Sequence, residues 1–229
     1  MSENSTPPQP AMPSSANLIM ALGLIAMMSG LLVVLAFQLT APRIVANKQR
    51  ALEKAIFTVL PSATSSKNYK LDENGLTQLP DDAIAVANVF AGYDADGNLA
   101  GLAMESSARG YQDVVKVLYG YSLESECVTG ITVLQSTETP GLGDKVSTDP
   151  AFLANFECLD ASLNEDRSAV ANPIRTVKNG TKTNAWQIDA ISGATVTSTA
   201  IGNGLQESTG RMLPMLARSK DSLLMSINE

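Results

Sequence analysis

Histidine is absent from all 229 residues. Its absence excludes a Ser-His-Asp triad, a Cys-His dyad and any His-ligated zinc or haem. Proton handling near neutral pH is left to carboxylates or a bound cofactor. Cysteine is nearly absent: Cys127 and Cys158 stand 31 positions apart, which is no metal spacing, and two thiols cannot complete a tetrahedral site. They fit either a disulfide in an oxidising compartment or two buried free thiols. Positive charge is missing from the first 42 residues, and the whole chain carries a net charge of −7, which argues against nucleic acid and anionic lipid surfaces as partners. Gly141-x-Gly143 lacks a third glycine and a βαβ context, and the sequence holds no Walker A motif, so neither dinucleotide fingerprint applies.

Charge is also missing between Glu3 and Arg43, and within that gap Leu18 to Leu39 is interrupted by just two polar residues, Ser29 and Gln38. As a helix this run is roughly 33 Å long, enough to cross a bilayer core. No basic n-region precedes it and no small-x-small cleavage site follows, so it reads as an uncleaved anchor over 18–40 rather than a signal peptide. The proline-rich residues 1–17 read as a flexible cytoplasmic tail. Arg43, Lys48, Arg50 and Lys54 follow the segment, which by the positive-inside rule places the larger part of the chain in the cytoplasm. Ile44, Leu52, Ile56 and Val59 recur near helical spacing until Pro61, predicting a helical stalk; with the polar stretch 62–82 this makes a stalk and linker over 41–82.

Beyond the linker, one α+β domain over 83–218 is expected, a twisted antiparallel sheet with packed helices, followed by a tail over 219–229. Ile84 to Ala91 and Leu99 to Glu105 flank Asp96-Gly97, and Val114 to Tyr119 and Cys127 to Gln135 flank Glu124-Ser125-Glu126: two hairpins. Gly92-Tyr93 matches Gly120-Tyr121 and Gly101-Leu102 matches Gly130-Ile131, the pattern of a duplicated hairpin. Asp149-Pro150 predicts a capped short helix through Phe156. Asn179-Gly180 predicts a hairpin tip, Trp186 to Ile191 a strand, and Val196 to Leu216 a closing helix.

Two segments carry the chemistry. Asp189-Ala-Ile-Ser192-Gly193-Ala194-Thr195 places a threonine hydroxyl behind small residues at the start of a helix, where a phosphate would meet free N–H groups and the positive end of the helix dipole. Taken alone the segment also fits a plain helix start. Upstream, Glu138-Thr139-Pro140-Gly141-Leu142-Gly143-Asp144-Lys145 predicts a tight turn with an apolar face, suited to a flat ring or to a simple connection. The two blocks, with Arg109-Gly110-Tyr111 before them, resemble the signatures of the FMN-binding domain family, in which the last threonine of Asp-x-x-Ser/Thr-Gly-Ala-Thr is esterified to the phosphate of FMN.

The resemblance implies covalent FMN on Thr195, with Ser192, Gly193, Ala194, Asp189, Glu138, Thr139, Pro140, Gly141, Leu142 and Lys145 around the cofactor. A carboxylate repels a phosphate, so Asp189 fits either a metal bound during attachment or a group read by the attaching flavin transferase, and the resemblance implies the recognition role. No catalytic residue and no metal is expected. The likeness is to the G subunits of Rnf-type complexes, which couple electron flow between ferredoxin and NAD to ion transport; the C subunits of the sodium-pumping NADH:quinone reductase are the alternative, and a cofactor-free anchored assembly module is a third. Partners would be the other membrane and peripheral subunits and, during maturation, the transferase. Attachment occurs outside the cytoplasmic membrane, so the resemblance opposes the positive-inside rule and implies a periplasmic domain on a single-pass anchor of the bacterial inner membrane. Long domains translocate largely regardless of flanking charge, so a periplasmic domain is the expectation.

Overall fold

The computed structural model describes residues 14–73, 75–80 and 83–219. Most of the expected N-terminal tail and nearly all of the C-terminal one fall outside them. Helix α1 (Ser15–Val59) is continuous through the apolar run and the expected stalk, with Pro42 inside it. Ser14 precedes it and accepts a hydrogen bond from the Asn17 N–H at 3.4 Å. From Leu18 to Leu39 its large apolar side chains are exposed, and the helix is long and apolar enough to cross a membrane. Chain contacts divide the molecule into residues 1–48 and 49–229.

The second unit is built on a seven-stranded, wholly antiparallel sheet. Its strands are β1 (Ser65–Asp72), β2 (Gly75–Gln78), β3 (Val89–Tyr93), β4 (Leu99–Arg109), β5 (Val114–Ser122), β6 (Cys127–Gln135) and β7 (Leu159–Asp160), in the order β2-β1-β3-β4-β5-β6-β7. The α+β expectation holds. Two boundaries are corrected. The polar stretch 62–82, read as a linker, supplies β1 and β2: its side chains alternate, with Tyr69 and Leu71 facing the core. The strand expected from Ile84 begins at Val89, because a turn occupies residues 83–86.

Alternation gives the sheet two apolar faces. On one, Val89, Ala91, Leu102, Met104, Val117 and Tyr119 meet Ile201, Leu205 and Met212 of α3 (Thr195–Arg218). The Tyr119 hydroxyl pairs with Ser208 Oγ at 2.9 Å, and Ser208 Oγ donates to the Glu105 carbonyl at 3.1 Å, fixing the helix on β4 and β5. On the other face, Phe90, Ala103 and Leu118 pack against Ala55, Ile56, Val59 and Leu60 at the end of α1. The stalk stripe is therefore half right: Ile56 and Val59 are buried, whereas Ile44 is exposed.

The paired motifs of the two hairpins acquire a reason here. Gly92 lies opposite Gly101 and Gly120 opposite Gly130, and each hairpin shifts register at the following tyrosine. A Cβ on Gly92 or Gly101 would stand 2.8 Å from Leu60, and one on Gly120 would strike the Val59 carbonyl oxygen. The glycines form a groove across four strands in which the chain at residues 59–63 lies.

After β6 the chain forms a 3₁₀ turn (Gly143–Ser147), helix α2 (Pro150–Leu153) capped by Asp149, and a second 3₁₀ turn (Ala154–Phe156). Cys127 and Cys158 are joined by a disulfide, with Cα atoms 5.1 Å apart, beside the edge strand β7. The expected hairpin at Asn179-Gly180 is not one. Strands β8 (Arg175–Val177) and β9 (Gln187–Asp189) pair in parallel, and Lys178 to Thr181 is a turn within the crossover between them.

Candidate functional site

Helix α3 begins at Thr195 itself, with Ala194 in the capping position. Alanine carries no side-chain oxygen, and among the described residues no side chain caps this end. The amides of the first turn are therefore open to an anion. Thr195 is exposed, and its hydroxyl donates to the Ile191 carbonyl at a long 3.4 Å. Gly193 turns the chain with φ +86°, and a Cβ there would meet open space, so glycine is required by the backbone rather than by crowding. Behind the turn, Ser198 Oγ donates to the Ala194 carbonyl and accepts from the Ile191 N–H, locking the helix start to the strand that feeds it.

A cleft of about 480 Å³ opens over this helix end, lined by Tyr111, Glu138, Thr139, Leu142, Gly143 and residues 193–197. The two sequence blocks thus meet. Tyr111, Leu142 and Val196 expose 72%, 50% and 53% of their surfaces around it, giving the mouth an apolar wall. Pro140 and Gly141 (φ +78°) occupy the middle of a turn closed by a bond from the Leu142 N–H to the Thr139 carbonyl, the type II pattern. That turn is what presents Leu142.

Glu138 holds the parts together. Its carboxylate accepts from Thr197 Oγ1 at 2.6 Å and from the Gln112 N–H at 3.0 Å, while Gln112 Nε2 donates to Thr139 Oγ1 at 2.8 Å. One buried acid thereby ties the 110–113 turn, the 139–142 turn and the first turn of α3. Burial opposes its charge, but the hydrogen bonds from Thr197 and from the N–H groups of Gln112, Tyr111 and Asp113 outweigh it and hold the carboxyl below the usual glutamate range. A carboxyl lowered in the folded state stabilises above its unfolded pKa, about 4.3, and that stability disappears as pH falls through the folded value. Glu138→Gln is therefore expected to lower the melting temperature at pH 7 and to flatten its decline below about pH 4.3, relative to the unsubstituted protein, in melts followed by near-ultraviolet circular dichroism.

The remaining predicted residues divide between this cleft and a neighbour. Asp189 and Ser192 line a second cleft of about 420 Å³ with Lys145, Asp149 and Asn179. The motif splits at Ser192/Gly193: Asp189 to Ser192 face one cleft, Gly193 to Thr195 the other. Lys145, expected beside the cofactor ring, is exposed on the second cleft. Sequence reasoning missed Gln112, Asn155 and Thr197, which act through contacts far apart in the chain. Among the described residues, no group of three His, Cys, Asp or Glu is placed to hold a metal.

Residues 110–209 match the family model of the FMN-binding domain. The likeness to that family lies in this segment. The match begins at the turn carrying Tyr111 and ends within α3, so it encloses the whole lining of the Thr195 cleft. The chain is similar to the G subunit of the ion-translocating oxidoreductase complex of Methanosarcina acetivorans, 34% identical over 132 residues. That alignment covers 56% of this chain and 60% of the relative. The corresponding G subunit of Shewanella piezotolerans is 28% identical over 192 residues, covering 82% and 84%. The G subunit of the Na⁺-translocating ferredoxin:NAD⁺ oxidoreductase complex of Acetobacterium woodii is 34% identical, with 50% of each chain covered. The chain thus spans 60% and 50% of two of these relatives. In fold, it is similar to the solved C subunit of the Na⁺-translocating NADH-quinone reductase from Parabacteroides distasonis, with a TM-score of 0.53 at 22% identity over 67% of this chain and 78% of that one. The NqrC structure from Shewanella oneidensis gives 0.50 over 71% and 74%.

Proposed function

We propose that this chain is the membrane-anchored electron-carrier subunit of an Rnf-type ion-translocating oxidoreductase, working between ferredoxin and NAD, with FMN held as a phosphoester on Thr195. The observation that carries the reading is an exposed threonine at an uncapped helix N-terminus, inside an apolar-walled cleft of an FMN-binding domain. The residues fit the group. Open first-turn amides suit a phosphate, Gly193 leaves room for it, and Tyr111, Leu142 and Val196 offer an apolar seat to a flat ring. When bound, FMN supplies the redox chemistry; the chain fixes the cofactor's position and shields it. Thr195 contributes the bridging oxygen, and Glu138 keeps the two turns and the helix end in register. The site needs no acid, base or nucleophile of its own for this relay.

The names of the relatives favour the G subunit of an Rnf-type complex over the C subunit of the quinone reductase. The disulfide supports a domain outside the cytoplasm, where such bonds persist. The other subunits would be its neighbours, and a flavin transferase its maturation partner. Membranes containing the protein made with a flavin transferase should give an ultraviolet-fluorescent band at its mobility on a denaturing gel. A dark band would leave the cofactor-free module as the surviving reading. A reporter fused after Glu229 tests the side of the membrane: activity from a reporter that works in the cytoplasm alone would overturn the periplasmic placement.

A further inference from the structure

We propose that Asp189 is a positioning residue, whose carboxylate is used inside the domain to pin the 178–181 turn against the strand that delivers Thr195. This role presupposes FMN attachment at Thr195. Asp189 Oδ2 accepts the Gly180 N–H at 2.9 Å and Oδ1 accepts the Thr181 N–H at 3.3 Å. Both oxygens are thereby engaged by the turn, and Asp189 lines the neighbouring cleft and not the Thr195 cleft. The repulsion expected between this acid and a phosphate is avoided by direction.

The rest of the turn returns the grip. Asn179 Nδ2 donates to the Ala190 carbonyl at 2.7 Å, next in sequence to Asp189. Buried Asn155 brackets Asp189 from the other side: its Oδ1 accepts the Asp189 N–H at 3.0 Å and its Nδ2 donates to the Asp189 carbonyl at 3.2 Å. The same Oδ1 accepts from Lys182 Nζ at 3.1 Å, so Asn155 also holds the end of the crossover. With the Ala190 N–H on the Val177 carbonyl and the Ile191 N–H on Ser198 Oγ, three consecutive residues before the small-residue turn are fixed. The chain enters Ser192-Gly193-Ala194 from one direction, which sets where the Thr195 hydroxyl stands. A group placed about 1 Å away from its reacting position loses on the order of 100-fold in rate.

The test uses the full-length protein in detergent, made with and without its transferase, as Asp189→Ala, Asp189→Asn and Asn155→Ala. In the unflavinylated protein, Asp189→Ala should raise amide exchange in a peptide spanning 178–183 by roughly tenfold or more, the loss expected for charge-assisted hydrogen bonds. Asp189→Asn, which keeps one acceptor oxygen, should fall between. The rate of fluorescent band formation should drop roughly 10- to 100-fold in Asp189→Ala. It should also drop in Asn155→Ala, where the carboxylate is intact. Loss of attachment in Asp189→Ala with unchanged exchange over 178–183, together with normal attachment in Asn155→Ala, would show that the transferase reads the carboxylate directly and would overturn the proposal. Normal attachment in Asp189→Ala would overturn it equally. Persistence of the fluorescent band in Thr195→Ala would instead remove the attachment site, while the exchange result on the turn would stand.

Discussion

Thr195→Ala is expected to bring covalent flavin to background while leaving the domain folded. The hydroxyl is the oxygen that the proposed linkage requires, and nothing replaces it in alanine. Within the protein the same atom makes one long hydrogen bond, at 3.4 Å to Ile191, from an exposed position. Removing it should cost no more than about 0.5 kcal/mol of stability. Alanine is also a good helix former at this first helical position. Thr195→Ser keeps the hydroxyl and should retain attachment at a reduced rate, because the lost methyl frees the side chain to rotate. Gel fluorescence and mass spectrometry of the intact chain read both results. A fluorescent band that persists in Thr195→Ala would move the linkage to another residue, for which exposed Ser192 is the nearest hydroxyl in the motif.

Gly120→Ala should be the most damaging single-methyl change on the far face of the sheet. Its added carbon would strike the Val59 carbonyl oxygen and stand 3.0 Å from Thr129 Oγ1. Backbone cannot step aside as a flexible side chain can, so overpacking of about 3 kcal/mol is expected. For a domain of this size that lowers the melting temperature by roughly 6–12 °C. Gly130→Ala is the control. Its methyl would approach Val59 no closer than 3.6 Å, an ordinary contact, and should be nearly neutral. Equal melting temperatures for the two variants would mean that the chain at Val59 is not seated against β5.

The contrast between these glycines marks what the sequence could and could not convey. Matching Gly-Tyr and Gly-aliphatic pairs revealed two similar hairpins, because each pair sits at the same register with its own bulge. They did not reveal why glycine was there, since the residues filling the groove, Val59 and Leu60, lie far upstream of every one of the four glycines. The helix start at Thr195 was legible because its signals are local: small residues, a helix-forming run and a hydroxyl fall within one short segment. The Glu138 block was legible as a turn, while the long-range contacts of its acid were not. Its acid lines the Thr195 cleft, and its hydrogen bonds to Thr197 and Gln112 join residues far apart in the chain. Asp189 was unreadable for the same reason, its partners lying in a crossover whose parallel pairing no turn signal announces. The 62–82 stretch misled because its strands carry polar outward residues, and two apolar anchors, Tyr69 and Leu71, are too few to stand out in an eight-residue strand.

The glycine groove also fixes where a soluble version of this protein has to begin. A fragment starting at Pro61 would remove Ala55, Ile56, Val59 and Leu60 and bare Phe90, Ala103 and Leu118 to water. A fragment limited to residues 110–209 would in addition lack β1 through β4, leaving α3 without the strand it crosses. Cutting at Gln49 retains the buried end of α1 and discards its exposed apolar run, so a fragment that keeps this packing starts well upstream of the Glu138 and Thr195 blocks.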